Sequence, residues 1–204
     1  MFGTAGGVVT YSFATGSGYA ITEQGFTGTI VPLDPFMPAN YRSEIARAFD
    51  AWEAVANIQF LEVPDNGVPF GSGLAVGNIR IGGHNFDGPF GVIAHAYYPT
   101  EGDIHFDTSE TWTVGFAGSG IDIFQVAAHE IGHSIGLNHT GVANSLMNPS
   151  YSENFSGPQA DDIAGARFMY GAAVVTVPEP GSVSLLCLGA VSVLGLARCR
   201  RKTA

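Results

Sequence analysis

The sequence predicts an α+β domain, and three observations carry that prediction. Runs rich in β-branched and aromatic residues recur from the start of the chain, a strong helical period interrupts them early, and two further helical stretches follow the last strand. Strand, helix, strand, strand, strand, helix, helix is an α+β order. A chain of 204 residues supports one full-sized core, and an apolar content of 46 % with frequent glycine marks it as globular.

Residues 8–14, VVTYSFA, read as the opening strand. Tyr41, Ile45, Phe49, Trp52 and Val55 recur at spacings of three and four, so residues 40–56 form an amphipathic helix. Residues 58–63 and 78–81 read as strands. His95 and His105 each sit in a short apolar, β-prone run bordered by glycine-rich turns, so neighbouring strands or loops can bring both to one ion, with His84 a third candidate. Asp122 followed by Gln125 resembles a capping box, and Phe124, Ala127, Ile131 and Ile135 give the helix behind it an apolar stripe. Residues 159–170 form the closing helix after Pro158.

That penultimate helix carries the chemistry. Residues 129–139 read HEIGHSIGLNH, the pattern HExxHxxGxxH without deviation. Residues four apart share a helix face, so His129 and His133 aim two imidazoles at one ion. Gly136 suits a left-handed helix end, from which the chain swings back to deliver His139. Three neutral nitrogens leave a fourth position for water, the arrangement of catalytic zinc, where the water's pKa falls to about 7. Glu130 is placed to take the proton of that water and pass it to a leaving amine. Asp87, Asp107 and Glu110, with carbonyls from a glycine-rich turn, are hard oxygen donors of the kind calcium takes.

The extended motif, followed by SLMNP over residues 145–149, resembles the metzincin zinc endopeptidases, with Met147 matching their Met-turn. Within that clan the chain is most similar to the matrixins, because FDGPFGVIAHAYYP over residues 86–99 and GDIHFDTSETW over residues 102–112 match as well. WEAVANIQF over residues 52–60 also resembles the related serralysins, although no Gly-Gly-x-Gly-x-Asp repeats follow the motif.

The resemblance implies a twisted, mostly parallel sheet with one antiparallel edge strand and three helices. It implies metalloendopeptidase activity on a protein or peptide substrate. It also implies a structural zinc held by histidines, for which His84, His95 and His105 are the candidates, and a calcium held by Asp87, Asp107, Glu110 and the carbonyls of Gly88, Phe90 and Val92. Matrixins usually place a His-x-Asp pair well upstream of the position of Asp87, whereas here only His84 stands three residues before it, which leaves one structural-zinc ligand unaccounted for. Phe90 replaces the usual glycine. The edge segment with Ala94 and Ala96 would pair with an extended substrate, and Pro149 and Tyr151 would wall the pocket beyond the scissile bond.

Four of the eight basic residues are Arg198, Arg200, Arg201 and Lys202; before them stand four basic against eighteen acidic side chains, a formal balance of −14. Such a body repels nucleic acid and anionic membrane. Both cysteines, Cys187 and Cys199, lie in the same tail, so no disulfide is expected in the catalytic domain, and the latency cysteine of many matrixins has no counterpart upstream. Latency is therefore expected to rest on something else.

The sequence VPEP over residues 177–180, an uncharged apolar run over residues 181–197 and the basic cluster resemble the PEP-CTERM sorting signal of Gram-negative bacteria. The run is at the short end of the roughly 17–25 residues that cross a bilayer. The resemblance implies an apolar C-terminal helix, an exosortase-like processing enzyme and at least transient membrane anchoring at the cell envelope. Residues 1–171 are thus expected to form a monomeric catalytic domain, residues 172–181 a linker and residues 182–204 the sorting segment. Residues 1–7 offer no basic region or apolar core of an export signal, so the natural start is expected upstream. Two functional classes compete: an exported zinc endopeptidase, and a non-catalytic surface or matrix protein that keeps the fold and its metals. Glu130 favours the first, since a degenerate scaffold has no need of a base there.

Overall fold

A computed structural model describes residues 5–16, 19–23, 26–70, 75–116 and 118–174; the apolar C-terminal segment lies outside them. Five strands form the main sheet in the order β4(Ile58–Glu62), β1(Gly7–Phe13), β5(Ile79–His84), β7(Ile104–Asp107), β6(Ala94–Ala96). All neighbours run parallel except β6, which pairs antiparallel with β7 at the edge. That is the sheet the resemblance implied. Every residue of β5 and β7 is buried, as expected of central parallel strands covered on both faces.

Helix α1(Tyr41–Glu53) buries Tyr41, Ile45, Ala48, Phe49 and Trp52, the stripe its period foretold. It packs against α2(Ile123–Ser134), and the Trp52 indole N–H donates to the carbonyl of Ala128 at 2.9 Å, which satisfies the one polar atom of a fully buried side chain. α3(Ala160–Tyr170) closes the core: Tyr170, also fully buried, donates its hydroxyl to the carbonyl of Ile135 at 2.7 Å, just past the end of α2. Three helices and the sheet therefore share one apolar core.

The sequence reading passed over two small sheets. β2(Tyr19–Glu23) and β3(Phe26–Ile30) form a hairpin between β1 and α1, and β8(Trp112–Thr113) pairs with β9(Ile121–Asp122) just before α2. The hairpin continues into a bridge between Val31 and Gly83. Beneath it, Arg80 is fully buried yet paired: Nη2 lies 2.8 Å from Asp65 Oδ1, Nη1 donates to the Val68 carbonyl at 2.7 Å, and the guanidinium lies over the rings of Phe70 and Tyr19. Tyr19 donates its hydroxyl to Asp65 Oδ2 at 2.6 Å. Arg80 Nε has no hydrogen-bond partner among the described residues, so the ion pair with Asp65 and the two flanking rings carry most of the compensation for the buried charge.

Candidate active site

Helix α2 begins where its cap stands. Asp122 is extended (φ −70°, ψ 123°) and its carboxylate accepts from the Gln125 N–H at 2.8 Å. The reciprocal half of the expected capping box is replaced: the Gln125 side chain donates to Ser152 O at 3.2 Å and accepts from Gly157 N–H at 3.0 Å, tying the loop after the Met-turn to the helix. At the other end, Gly136 has φ +106°. Its N–H donates to His133 O at 2.8 Å while the Leu137 N–H donates to Gly132 O at 2.9 Å. This is the Schellman pair of bonds, and it turns the chain toward His139.

The three imidazoles converge. His139 Nε2 lies 3.2 Å from His129 Nε2 and 3.1 Å from His133 Nε2, and all three ligand atoms fall within 4.8 Å of one another. A tetrahedral ion with zinc–nitrogen bonds of about 2.0–2.1 Å separates its ligand nitrogens by roughly 3.4 Å, so the spacing suits that ion. The tautomers agree. His129 Nδ1 lies 2.6 Å from Leu146 O and His133 Nδ1 2.8 Å from Leu137 O; carbonyls only accept, so both Nδ1 atoms carry the proton and both Nε2 lone pairs face inward. Burial pushes His129 down to about 4, with the neighbouring histidines adding to the effect, and burial also lowers His133. Both are thus neutral near pH 7, the state a metal ligand requires.

Glu130 is 4 % exposed, and its Oε2 finds no hydrogen-bond partner among the described residues. Burial pushes its carboxyl up to about 8; a dication at the neighbouring triad would oppose that shift by favouring the carboxylate. Glu130 and the triad line a cleft of about 660 Å³ whose walls include Ala94, Ala96, Val126, Leu146, Pro149 and Tyr151. Tyr151 is fixed in place, accepting from the Asp122 N–H at 2.9 Å and donating to Glu153 Oε1 at 3.0 Å.

Met147 lies beneath the helix, where a Cβ added to Gly132 would meet its sulfur at 2.4 Å. Only glycine permits that approach. One residue that sequence reasoning missed secures this turn. Asp162, 2 % exposed in the first turn of α3, accepts from Leu146 N–H at 2.7 Å, Met147 N–H at 3.0 Å, Gln159 N–H at 2.7 Å and the Ser145 hydroxyl. Its only signal in the sequence was an acidic pair at a helix start, which the helix dipole explains equally well. Tyr98 was missed too: its hydroxyl donates to Asn138 Oδ1 at 3.0 Å, the atom that also accepts from the His139 N–H at 2.8 Å.

The other histidines also meet. His84 ends β5, while His95 on β6 stands opposite His105 on β7, and their ligand atoms lie within 4.8 Å of one another. Phe86 covers His84 and His95, and Phe70 abuts His105. The described set comprises these three imidazoles, so the ligand missing from the sequence pattern is not supplied by a further side chain there. The candidate calcium residues behave unequally. Asp87 accepts from Val92 N–H at 3.1 Å and Glu110 from Phe90 N–H at 2.6 Å, so both face the 87–92 turn, whereas Asp107 spends Oδ1 on the Ser109 N–H and hydroxyl at 2.7 Å and reaches the head of the turn only through Oδ2, 3.4 Å from Phe86 N.

A family model described as matrixin matches residues 23–171. The chain belongs to the matrixin family. Strand β1 and the start of the hairpin lie upstream of the matched region. A PEP-CTERM protein-sorting motif matches residues 176–202, outside the described residues. Among matrixin relatives, the chain is 48 % identical over 134 residues to the hatching enzyme of Paracentrotus lividus, covering 64 % of this chain and 22 % of that protein. It is 41 % identical over 146 residues to stromelysin-3 of Xenopus laevis, with 68 % and 30 % covered, and 32 % identical over 167 residues to metalloendoproteinase 4-MMP of Arabidopsis thaliana, with 75 % and 45 % covered. This matrixin thus spans less than half the length of each of these relatives. No helix among its described residues is long and apolar enough to cross a membrane.

Proposed function

We propose that this chain is a zinc-dependent endopeptidase in which His129, His133 and His139 hold the metal and Glu130 is the general base. The observation that supports it best is the pair of Nε2 separations, 3.1 and 3.2 Å, beside a buried carboxylate oxygen with no partner among the described residues. Zinc bound there supplies Lewis acidity toward water and toward the scissile carbonyl. Glu130 accepts the proton of the attacking water and returns it to the departing amine. Leu146 and Leu137 hold two of the imidazoles in the ligating tautomer through their carbonyls. The outer edge of β6 offers N–H and C=O groups to an extended substrate, while Pro149 and Tyr151 also wall the cleft.

His84, His95 and His105 hold a second, structural zinc in this reading, and calcium is held by Asp87, Asp107, Glu110 and the carbonyls of Gly88, Phe90 and Val92. Residues 1–171 form the catalytic domain, residues 172–181 a linker and residues 182–204 a sorting segment processed by an exosortase-like enzyme. The segment anchors the protein transiently at the envelope of a Gram-negative bacterium, where a monomer acts on extracellular or envelope-associated proteins.

The test is hydrolysis of an unstructured protein by the full chain, its chelated form and Glu130→Gln. Chelator-sensitive cleavage and a loss of about 100-fold or more in the variant, with zinc content retained, are expected. Equal rates in wild type and variant would remove Glu130 from the chemistry, and zinc binding without cleavage in either would favour a non-catalytic, metal-stabilised surface protein.

A further inference from the structure

Phe90 combines three properties. Its φ is +70°, in the left-handed region where a bulky side chain is an outlier. Its side chain is 88 % exposed, so the ring adds next to nothing to the core. It also lines the cleft of the His129 triad, at the head of the segment that leads into edge strand β6. The backbone conformation has a local cause, because the Phe90 N–H donates to Glu110 and the Val92 N–H to Asp87, which closes the turn between them. Glycine would adopt that conformation without strain. Phenylalanine makes the turn more costly, and the ring returns nothing to the fold.

We propose that Phe90 is a specificity-determining residue, its ring making contact with an apolar side chain of an extended peptide substrate several residues from the scissile bond. The inference rests on the endopeptidase reading. A strand laid along β6 turns alternate side chains toward the cleft, and its path continues past the ends of that three-residue strand. Tyr98, whose ring lies 5.6 Å from that of His133, puts the downstream end of the rim beside the triad. Phe90 stands upstream of β6, at the opposite end. The chain from Phe90 to Ala94 reaches up to about 13 Å at roughly 3.3 Å per residue, the length of about four substrate residues. Val92, 51 % exposed, and Ile93 extend the apolar surface beside the ring.

The experiment uses the zinc-loaded full chain and a panel of fluorogenic peptides varied position by position on both sides of the cleavage point, with wild type compared to Phe90→Ala and Phe90→Gly. Wild type is expected to favour an apolar side chain at one outlying position over glycine there. In both variants that preference collapses about tenfold, read as the ratio of kcat/KM for an apolar side chain over glycine at that position. Phe90→Gly also raises Tm by about 2–4 °C, because it relieves the backbone, whereas Phe90→Ala does not; the pair separates strain from contact. Wild-type selectivity in both variants, or a lost preference for basic rather than apolar residues, would overturn the proposal. A wild type that cleaves no peptide would instead remove the endopeptidase reading beneath it.

Discussion

Replacing Asp162 by asparagine tests whether α3 sets the metal site through the Met-turn. Asp162 accepts four hydrogen bonds in a site that is 2 % exposed, two at each oxygen. Asparagine keeps the shape and turns one oxygen into an NH₂ that faces two donors. Each buried donor left unpaired costs about 1–3 kcal/mol, so a loss of about 4 kcal/mol is expected. At about 2–4 °C per kcal/mol for a domain of this size, Tm falls by roughly 10 °C. The effect should reach the metal, because the Leu146 carbonyl that receives the Nδ1–H of His129 belongs to the same turn. Outer partners of metal-ligating histidines are typically worth 10–100-fold in affinity. Zinc affinity is measured by competition with a chromophoric chelator, beside thermal denaturation of the zinc-loaded protein. A variant that loses stability but binds zinc within twofold of wild type would refute the link between α3 and the metal.

Gly132→Ala places a Cβ 2.4 Å from the Met147 sulfur and 3.1 Å from the Trp52 ring, so a loss of about 1–3 kcal/mol in denaturant titration is expected, with Met147→Ala recovering part of it. His105→Ala should reduce bound zinc from two ions per chain to one by elemental analysis, because it opens the second triad and leaves the first intact. For Asp65, burial alone would raise the pKa, but the Tyr19 hydrogen bond and the Arg80 charge outweigh it and hold the carboxyl below its usual range. A carboxyl depressed by folding stabilises above its unfolded pKa of about 3.9, and that contribution is lost as pH falls through the folded value. Asp65→Asn should therefore cost about 3–5 kcal/mol at pH 7 by stranding Arg80, with the gap to wild type closing only in acid; a constant gap down to pH 2 would contradict the assignment.

The parts of this fold that were legible in the sequence are those in which one local pattern dictates one outcome. Tyr41, Ile45, Phe49 and Trp52 could only share a helix face, and HExxHxxGxxH could only place three imidazoles near a point if a helix ended at Gly136. Second-triad convergence was readable as a set but not as geometry, since His84, His95 and His105 meet through the register of three strands, and register is a property of the whole sheet. Asp162 and Tyr98 were invisible for a related reason. Their partners lie 15–17 and 40 residues away in the chain, and nothing local distinguishes a carboxylate that caps its own helix from one that also holds a distant turn. The β2–β3 hairpin was missed although YAITE and FTGTI are rich in strand formers, because two five-residue strands are no stable unit until the rest of the fold receives them.

Strand β6 joins the two triads into one device. Side chains alternate along a strand, so the His95 ring points to the opposite face from Ala94 and Ala96, toward His105 and His84, although all three residues border the cleft. A three-residue strand that, among the described residues, pairs only with β7 is a poor anchor, with few ladder bonds to hold it. An ion shared by the ends of β5, β6 and β7 would supply the rigidity that pairing cannot, and would do so on the face away from the chemistry. An ion held there would govern how well the edge receives a substrate backbone, so opening that triad should appear in KM before it appears in kcat.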